Sequence, residues 1–190
     1  MTEHMEHHES NDSILKIAFN LAGACIISGI IIATVYFLTH DIALQKQAEL
    51  QTLALKSLVT EADQYNPVEG KPGWYTAAQD GELIAYIIPS ESKGYGGTIK
   101  LLVAVGPDQK VIKYTIVEAK ETPGLGDKAA KSPFIDQFPG KGSENLEVTK
   151  DPGNKENIQA ISGATITSRA VTKAVKTAVD ELSEFSKGGN

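Results

Sequence analysis

The chain has 190 residues, of which 22% are charged and 6% aromatic, so it has room for one globular domain plus accessory segments. Its formal net charge of −6 argues against a nucleic-acid-binding surface. Cys25 is the only cysteine and no histidine follows His40; the rest of the chain therefore cannot build an intrachain disulfide, a cysteine-ligated iron–sulfur cluster, a histidine-held haem, a histidine-dependent triad or a typical zinc site, and any redox chemistry there needs an organic cofactor.

Residues 1–13 are polar and aperiodic, which predicts a disordered tail; His4, His7 and His8 lie in it. From Ile17 to Thr39 there are 23 residues without a charge, 11 of them Leu, Ile, Val or Phe. As a helix this run spans about 34 Å against a hydrocarbon core of about 30 Å. Its apolar side chains together favour insertion by roughly 3–7 kcal/mol, which Asn20, Ser28 and Thr34 reduce without reversing. A cleaved signal peptide would be shorter and would carry a positive n-region, so the expectation is a membrane helix over 14–40. Ala18, Ala22, Cys25, Gly29 and Ala33 form a stripe of small residues, suited to close packing against other membrane helices or simply ordinary membrane-helix composition. Lys16 and Lys46 flank opposite ends, so the basic-residue bias does not orient the helix.

Residues 41–66 carry Leu50, Leu53 and Leu58 among polar residues, with no Pro or Gly before Asn66-Pro67. They are expected to continue the helix as a stalk that stops there. The globular domain is assigned to 67–190. Within it Glu82–Ile88, Thr98–Val105 and Val111–Val117 are β-branched, apolar runs. Gly94-Tyr95-Gly96-Gly97 and Gly106-Pro107-Asp108 fit the turns of an antiparallel meander. A loop-rich stretch follows from Glu121 to about Asn157. Val171, Ala174, Val175, Ala178, Val179, Leu182 and Phe185 then recur at helical spacing, predicting an amphipathic helix capped by Thr167 or Ser168 and ended by Gly188-Gly189.

Just before that helix, Ser162-Gly163-Ala164-Thr165-Ile166-Thr167-Ser168 combines small residues, several hydroxyls and a helix N-terminus. Such a segment can seat a phosphate, although plain capping explains the same residue types. With Glu121-Thr122-Pro123-Gly124-Leu125-Gly126 and Gly94-Tyr95-Gly96-Gly97, it resembles the FMN-binding domain family shared by the G component of the Rnf complex and the C component of the sodium-pumping NADH:quinone reductase. In that family the last Thr of the Ser/Thr-Gly-Ala-Thr motif carries FMN in a phosphoester bond.

The resemblance implies that Thr165 is the covalent attachment residue, presented by Ser162, Gly163 and Ala164. It implies further that Glu121, Thr122, Gly124, Leu125 and Gly126 form a loop at the flavin, with Leu125 against the ring and Glu121 and Thr122 at its polar edge. Trp74, Tyr75 and Tyr95 are candidates to stack on the ring or, alternatively, packing residues. One position departs from the family pattern: Gln159 stands where an Asp is common three residues before the Ser. The fold implied is α+β: a single transmembrane helix and helical stalk, then an antiparallel sheet packed with helices. The function implied is a covalent-flavin electron carrier in a membrane complex coupling ferredoxin:NAD⁺ electron transfer to ion translocation. Its partners would be the membrane and iron–sulfur subunits of that complex, a flavin transferase for maturation and the lipid bilayer of the cell membrane, with the FMN domain extracytoplasmic. The alternatives are the C component of the quinone reductase and a membrane-anchored ligand-binding module without flavin.

Overall fold

The computed structural model describes residues 6–188, with side chains at 14–40, 46 and 52–188. The first helix, α1, runs from Glu6 to Leu58. Of the tail expected over 1–13, residues 1–5 lie outside the described residues, and 6–13 belong to α1. Two units make up the chain, Met1–Leu50 and Gln51–Asn190. In the first, Ile14–His40 is a 27-residue stretch long and apolar enough to cross a membrane. The hydroxyls of Thr34 and Thr39 donate to the carbonyls of Ile30 and Val35, each at 2.7 Å. Each polar group is thereby satisfied within the helix, which lowers its cost in hydrocarbon.

The second unit is built on a five-stranded antiparallel meander: β1 (Gln64–Pro67), β2 (Tyr75–Gln79), β3 (Glu82–Lys93), β4 (Thr98–Val105) and β5 (Val111–Glu118), paired in chain order. Alternation along β4 sorts its side chains onto two cores. Ile99, Leu101, Val103 and Val105 face one, while Leu102 and Ala104 face the other. The first core is covered by α2 (Thr165–Gly188), whose Val171, Ala174, Val175, Ala178, Val179 and Leu182 are all buried as their spacing predicts. The second is covered by the end of α1, where Leu55, Leu58 and Val59 pack on Ala77, Ala85, Ile87 and Ala104. The unit is thus a sheet with a helix on each face, an α+β fold.

Three elements differ from the sequence expectation. The stalk helix ends at Leu58, and Gln64–Pro67 is a strand rather than helix. Burial of Leu55, Leu58 and Val59 on the sheet brings the chain to its edge, where the following residues pair with β2. β2 went unpredicted because only Ala77 in it is fully buried, so it has no apolar run. Finally, β3 continues past Ile88 through Pro89 to Lys93. Pro89 is tolerated because pairing with β2 ends at Ile87, so its missing N–H breaks no ladder bond there.

After β5 the chain is irregular but tightly packed. Short 3-10 turns at Gly126–Ala130, Ile135–Gln137 and Ser143–Asn145 deliver Phe134, Phe138 and Leu146 to the first core. A two-residue parallel pair, β6 (Val148–Thr149) with β7 (Ile158–Gln159), leads into the segment before α2.

Candidate functional site

The chain assembles a cleft of about 500 Å³ from three separate places. The β3–β4 turn supplies Tyr95, the loop after β5 supplies Glu121, Thr122, Leu125 and Gly126, and Gly163–Thr167 supply the third wall. Each is held by local bonds. Gly94 N–H donates to Gly97 O at 2.7 Å and closes the first turn. Leu125 N–H and Gly126 N–H both donate to Thr122 O, at 3.2 and 2.9 Å, and curl the second.

The third wall is the start of α2. That helix begins at Thr165, two or three residues before the expected caps. Ser168 is wholly buried, and its hydroxyl accepts Ile161 N–H and donates to Ala164 O, both at 2.9 Å. Gly163 has φ +79°, and a Cβ on it would lie 3.3 Å from Leu125 Cδ2, so glycine serves both the turn and the closeness of the loop. The residue before the helix is Ala164, which has no side-chain oxygen. The first N–H groups of α2 therefore lack both an intrahelical partner and a side-chain cap.

Glu121 ties the walls together. Its Oε1 accepts Gly96 N–H at 3.0 Å, and its Oε2 accepts the hydroxyl proton of Thr167 in a short bond. Gly96 is required by close approach: a Cβ there would stand 1.8 Å from Lys120 O. Both carboxylate oxygens of Glu121 are thus engaged by the protein itself.

The hydroxyls of the motif differ in availability. Thr167 is 2% exposed and bonded to Glu121. Ser162 is exposed on a second cleft, of about 470 Å³, which it shares with Lys128, Lys131, Phe134, Gln137 and Gln159. Thr165 is half-buried on the first cleft, and its hydroxyl has no hydrogen-bond partner among the described residues. Seven of the nine residues singled out by sequence line that first cleft: Glu121, Thr122, Leu125, Gly126, Gly163, Ala164 and Thr165. Gly124 sits at the tip of its turn with φ +78°.

Large apolar side chains rim the opening: Tyr95 is 71% exposed, Ile166 54% and Leu125 40%. Of the other aromatic candidates, Trp74 is buried against Phe185 with ring centroids 5.6 Å apart, and Tyr75 packs at the second core. Sequence reasoning missed Ile166 as a lining residue and Thr167 as the partner of Glu121. The latter pair is 46 residues apart, and no short-range pattern announces it. The Gln159 side-chain N–H groups are both used: they donate to Asp151 O at 2.6 Å and Asn154 O at 2.7 Å. Near the cleft, Lys131 at 2.7 Å holds the Asp127 carboxyl below the usual carboxylate range.

Comparison with known proteins adds independent findings. A family model described as the FMN-binding domain matches residues 94–180. The chain is 51% identical over 184 residues to the G component of the proton-translocating ferredoxin:NAD(+) oxidoreductase complex of Clostridium ljungdahlii, covering 97% of this chain and 100% of that protein. It is 38% identical over 118 residues to the G component of the Na(+)-translocating complex of Acetobacterium woodii, covering 60% of this chain and 56% of that one. Among solved structures, the C component of the Na(+)-translocating NADH-quinone reductase of Parabacteroides distasonis aligns with a TM-score of 0.50 and 25% identity, over 59% of this chain and 61% of that chain.

Proposed function

The chain belongs to the family of G components of ion-translocating ferredoxin:NAD(+) oxidoreductase complexes, and on that premise we propose that Thr165 carries the FMN with which it transfers electrons, bound through a phosphoester. It is an electron-transport flavoprotein and a membrane-associated subunit of an oxidoreductase complex, not a stand-alone catalyst. The observation that carries the Thr165 reading is the sorting of hydroxyls. Thr165 offers an uncommitted oxygen to the cleft, whereas Thr167 is buried and bonded, Ser168 is buried, and Ser162 belongs to the neighbouring cleft.

The residues present fit the group. The uncapped N–H groups at the start of α2 suit a phosphate. A cleft of about 500 Å³ lies within the range of small-molecule sites, and its apolar rim suits a flat conjugated ring. When bound, FMN supplies reversible electron uptake and release. The protein orients and shields it. Tyr95, Leu125 and Ile166 exclude water from the ring, and Glu121 keeps the 121–126 loop docked on α2 rather than contacting the ring with a free carboxylate. A phosphoester leaves the ring unmodified, so its potential answers to these surroundings. It also prevents loss of the cofactor where free flavin is scarce.

The family resemblance supports two further parts of the reading. We take the FMN domain to lie on the extracytoplasmic side of the cell membrane, and a flavin transferase to attach the cofactor. The test is to produce the full chain with such a transferase and to follow flavin fluorescence on the denatured polypeptide. Thr165→Val keeps the side-chain shape and removes the nucleophilic oxygen, so it should abolish the covalent signal, while Ser162→Ala retains it. Covalent flavin surviving in Thr165→Val overturns the assignment.

A further inference from the structure

Helix α2 carries three cations on one stripe, Arg169, Lys173 and Lys176, spaced at i, i+4 and i+7. With Thr172 they form one side of a shallow groove of about 340 Å³, and residues 146–148 form the other. This groove shares no residue with the cleft that holds Thr165. Like charges three and four residues apart destabilise a helix, so folding alone does not call for the stripe. Nor does the composition, since the net charge of the chain is −6.

Nearby acids leave the stripe largely uncompensated. Glu147 is the one acid that lines the groove, and its exposed carboxylate lies 3.9 Å from Lys176, a pair of little strength. Asp180, a turn beyond Lys176, accepts the hydroxyl proton of Ser143. The side chains of Arg169 and Lys173 have no ion pair or hydrogen bond among the described residues.

Thr172 adds an independent observation. It is 2% exposed, and its hydroxyl has no partner. Thr34, Thr39 and Thr177, also on helices, each donate to the carbonyl four residues back. Thr172 does not, and a buried donor left unused is rare. A helical threonine has two accessible χ1 rotamers, so this hydroxyl can turn to an acceptor placed in the groove. Cations and hydroxyl thus favour the same ligand, one that brings negatively charged oxygens.

The three cations span seven residues, about 10 Å along the helix axis. A single phosphate or carboxylate cannot bridge that length. An extended acidic segment can, because alternate side chains on one face of a strand lie about 7 Å apart. The chain is a subunit of an oxidoreductase complex, so partner polypeptides are at hand. We propose that this groove docks an acidic segment of another subunit of that complex. Its successive carboxylates meet Arg169, Lys173 and Lys176, and one of them accepts the Thr172 hydroxyl proton.

The test uses the whole complex, purified in detergent through a tag on this chain. A water-soluble carbodiimide joins an amine to a carboxylate in contact with it, so it reads the proposed pairs directly. Mass spectrometry should find Lys173 or Lys176 joined to an acidic segment of another subunit, and high salt added beforehand should remove the link. In the chain alone the same reagent should join Lys176 to Glu147 instead. Arg169→Glu combined with Lys173→Glu is expected to lower the salt concentration at which the other subunits dissociate by about two-fold or more. Thr172→Val keeps the shape and removes the unused hydroxyl. It should leave the melting temperature of the isolated chain equal or higher while still lowering that salt concentration, two effects that a purely structural threonine would not separate. Absence of any link from Lys173 or Lys176 to another subunit overturns the proposal, as does an unchanged salt threshold in the charge-reversed chain. If that variant does not fold, the carbodiimide links decide. Acetylation of the full chain in phosphatidylcholine vesicles, with and without phosphatidylglycerol, tests the membrane as occupant. Both lysines shielded only by phosphatidylglycerol, and unlinked in the complex, would assign the groove to lipid and overturn the proposal.

Discussion

Glu121 lies in a loop yet bonds to two other parts of the chain, the β3–β4 turn through Gly96 and helix α2 through Thr167. Removing its carboxylate leaves the buried Thr167 hydroxyl without a partner, at a cost of about 1–3 kcal/mol. Glu121→Ala and Thr167→Val should therefore not be additive. A double-mutant cycle read by urea unfolding is expected to give a coupling of about 0.5–3 kcal/mol, and strict additivity would mean that the bridge contributes nothing. At this scale the sequence was readable where motifs are local. Thr165 and the 121–126 loop stand out as short strings, and the fold brings them to one cleft. The Glu121–Thr167 bond joins residues 46 apart, which no local pattern encodes. Gln159 shows another limit. It departs from the family pattern, and its amide donates to two backbone carbonyls, which an ionised Asp could not do.

Among the elements, α2 and strands β3, β4 and β5 were legible because each buries a periodic apolar face. β1 and β2 were not, since their residues are mostly half-exposed and are held by pairing with neighbours rather than by a run of their own. One local signal was available and unused: Asp80-Gly81, both at positive φ, is the two-residue turn that joins β2 to β3. The irregular stretch after β5 is anchored by Tyr114 on that strand, whose hydroxyl donates to Ala129 O and whose ring meets Phe138 at 4.8 Å. Burial, with the Asp136 carboxylate adding, pushes the Tyr114 phenol well above its ordinary value. A raised value contributes stability that is present below the unfolded value of about 10 and lost as pH rises beyond it. Tyr114→Phe keeps the ring packing and loses the bond, so it should be about 1 kcal/mol less stable at pH 7. That deficit should shrink when unfolding is measured at pH 11. Equal deficits at both pH values would refute the assignment.

Taken whole, the molecule divides into an apolar helical unit and a globular unit whose two cores are complete without it. The fragment from Gln51 onward keeps Leu55, Leu58 and Val59 on the sheet and should be monodisperse without detergent. Starting instead at Asp63 removes three buried side chains, each contributing roughly 1.5–3 kcal/mol, from a domain whose total stability is typically about 5–15 kcal/mol. That shorter fragment should aggregate or melt markedly lower in calorimetry. Equal melting temperatures for the two would show that the end of α1 is dispensable.

The turn around Ser168 carries a consequence for the order of events in the life of the protein. Its bonds join Ile161, Ala164 and Ser168, and every donor and acceptor in it belongs to the polypeptide. The turn that presents Thr165, the residue proposed to carry the cofactor, is therefore held by bonds of the chain's own. A newly made chain would then complete its fold with Thr165 already on display. On the attachment proposed above, loading with flavin would be a late finishing step on a folded protein, and the supply of flavin would govern when the protein becomes active rather than whether it folds.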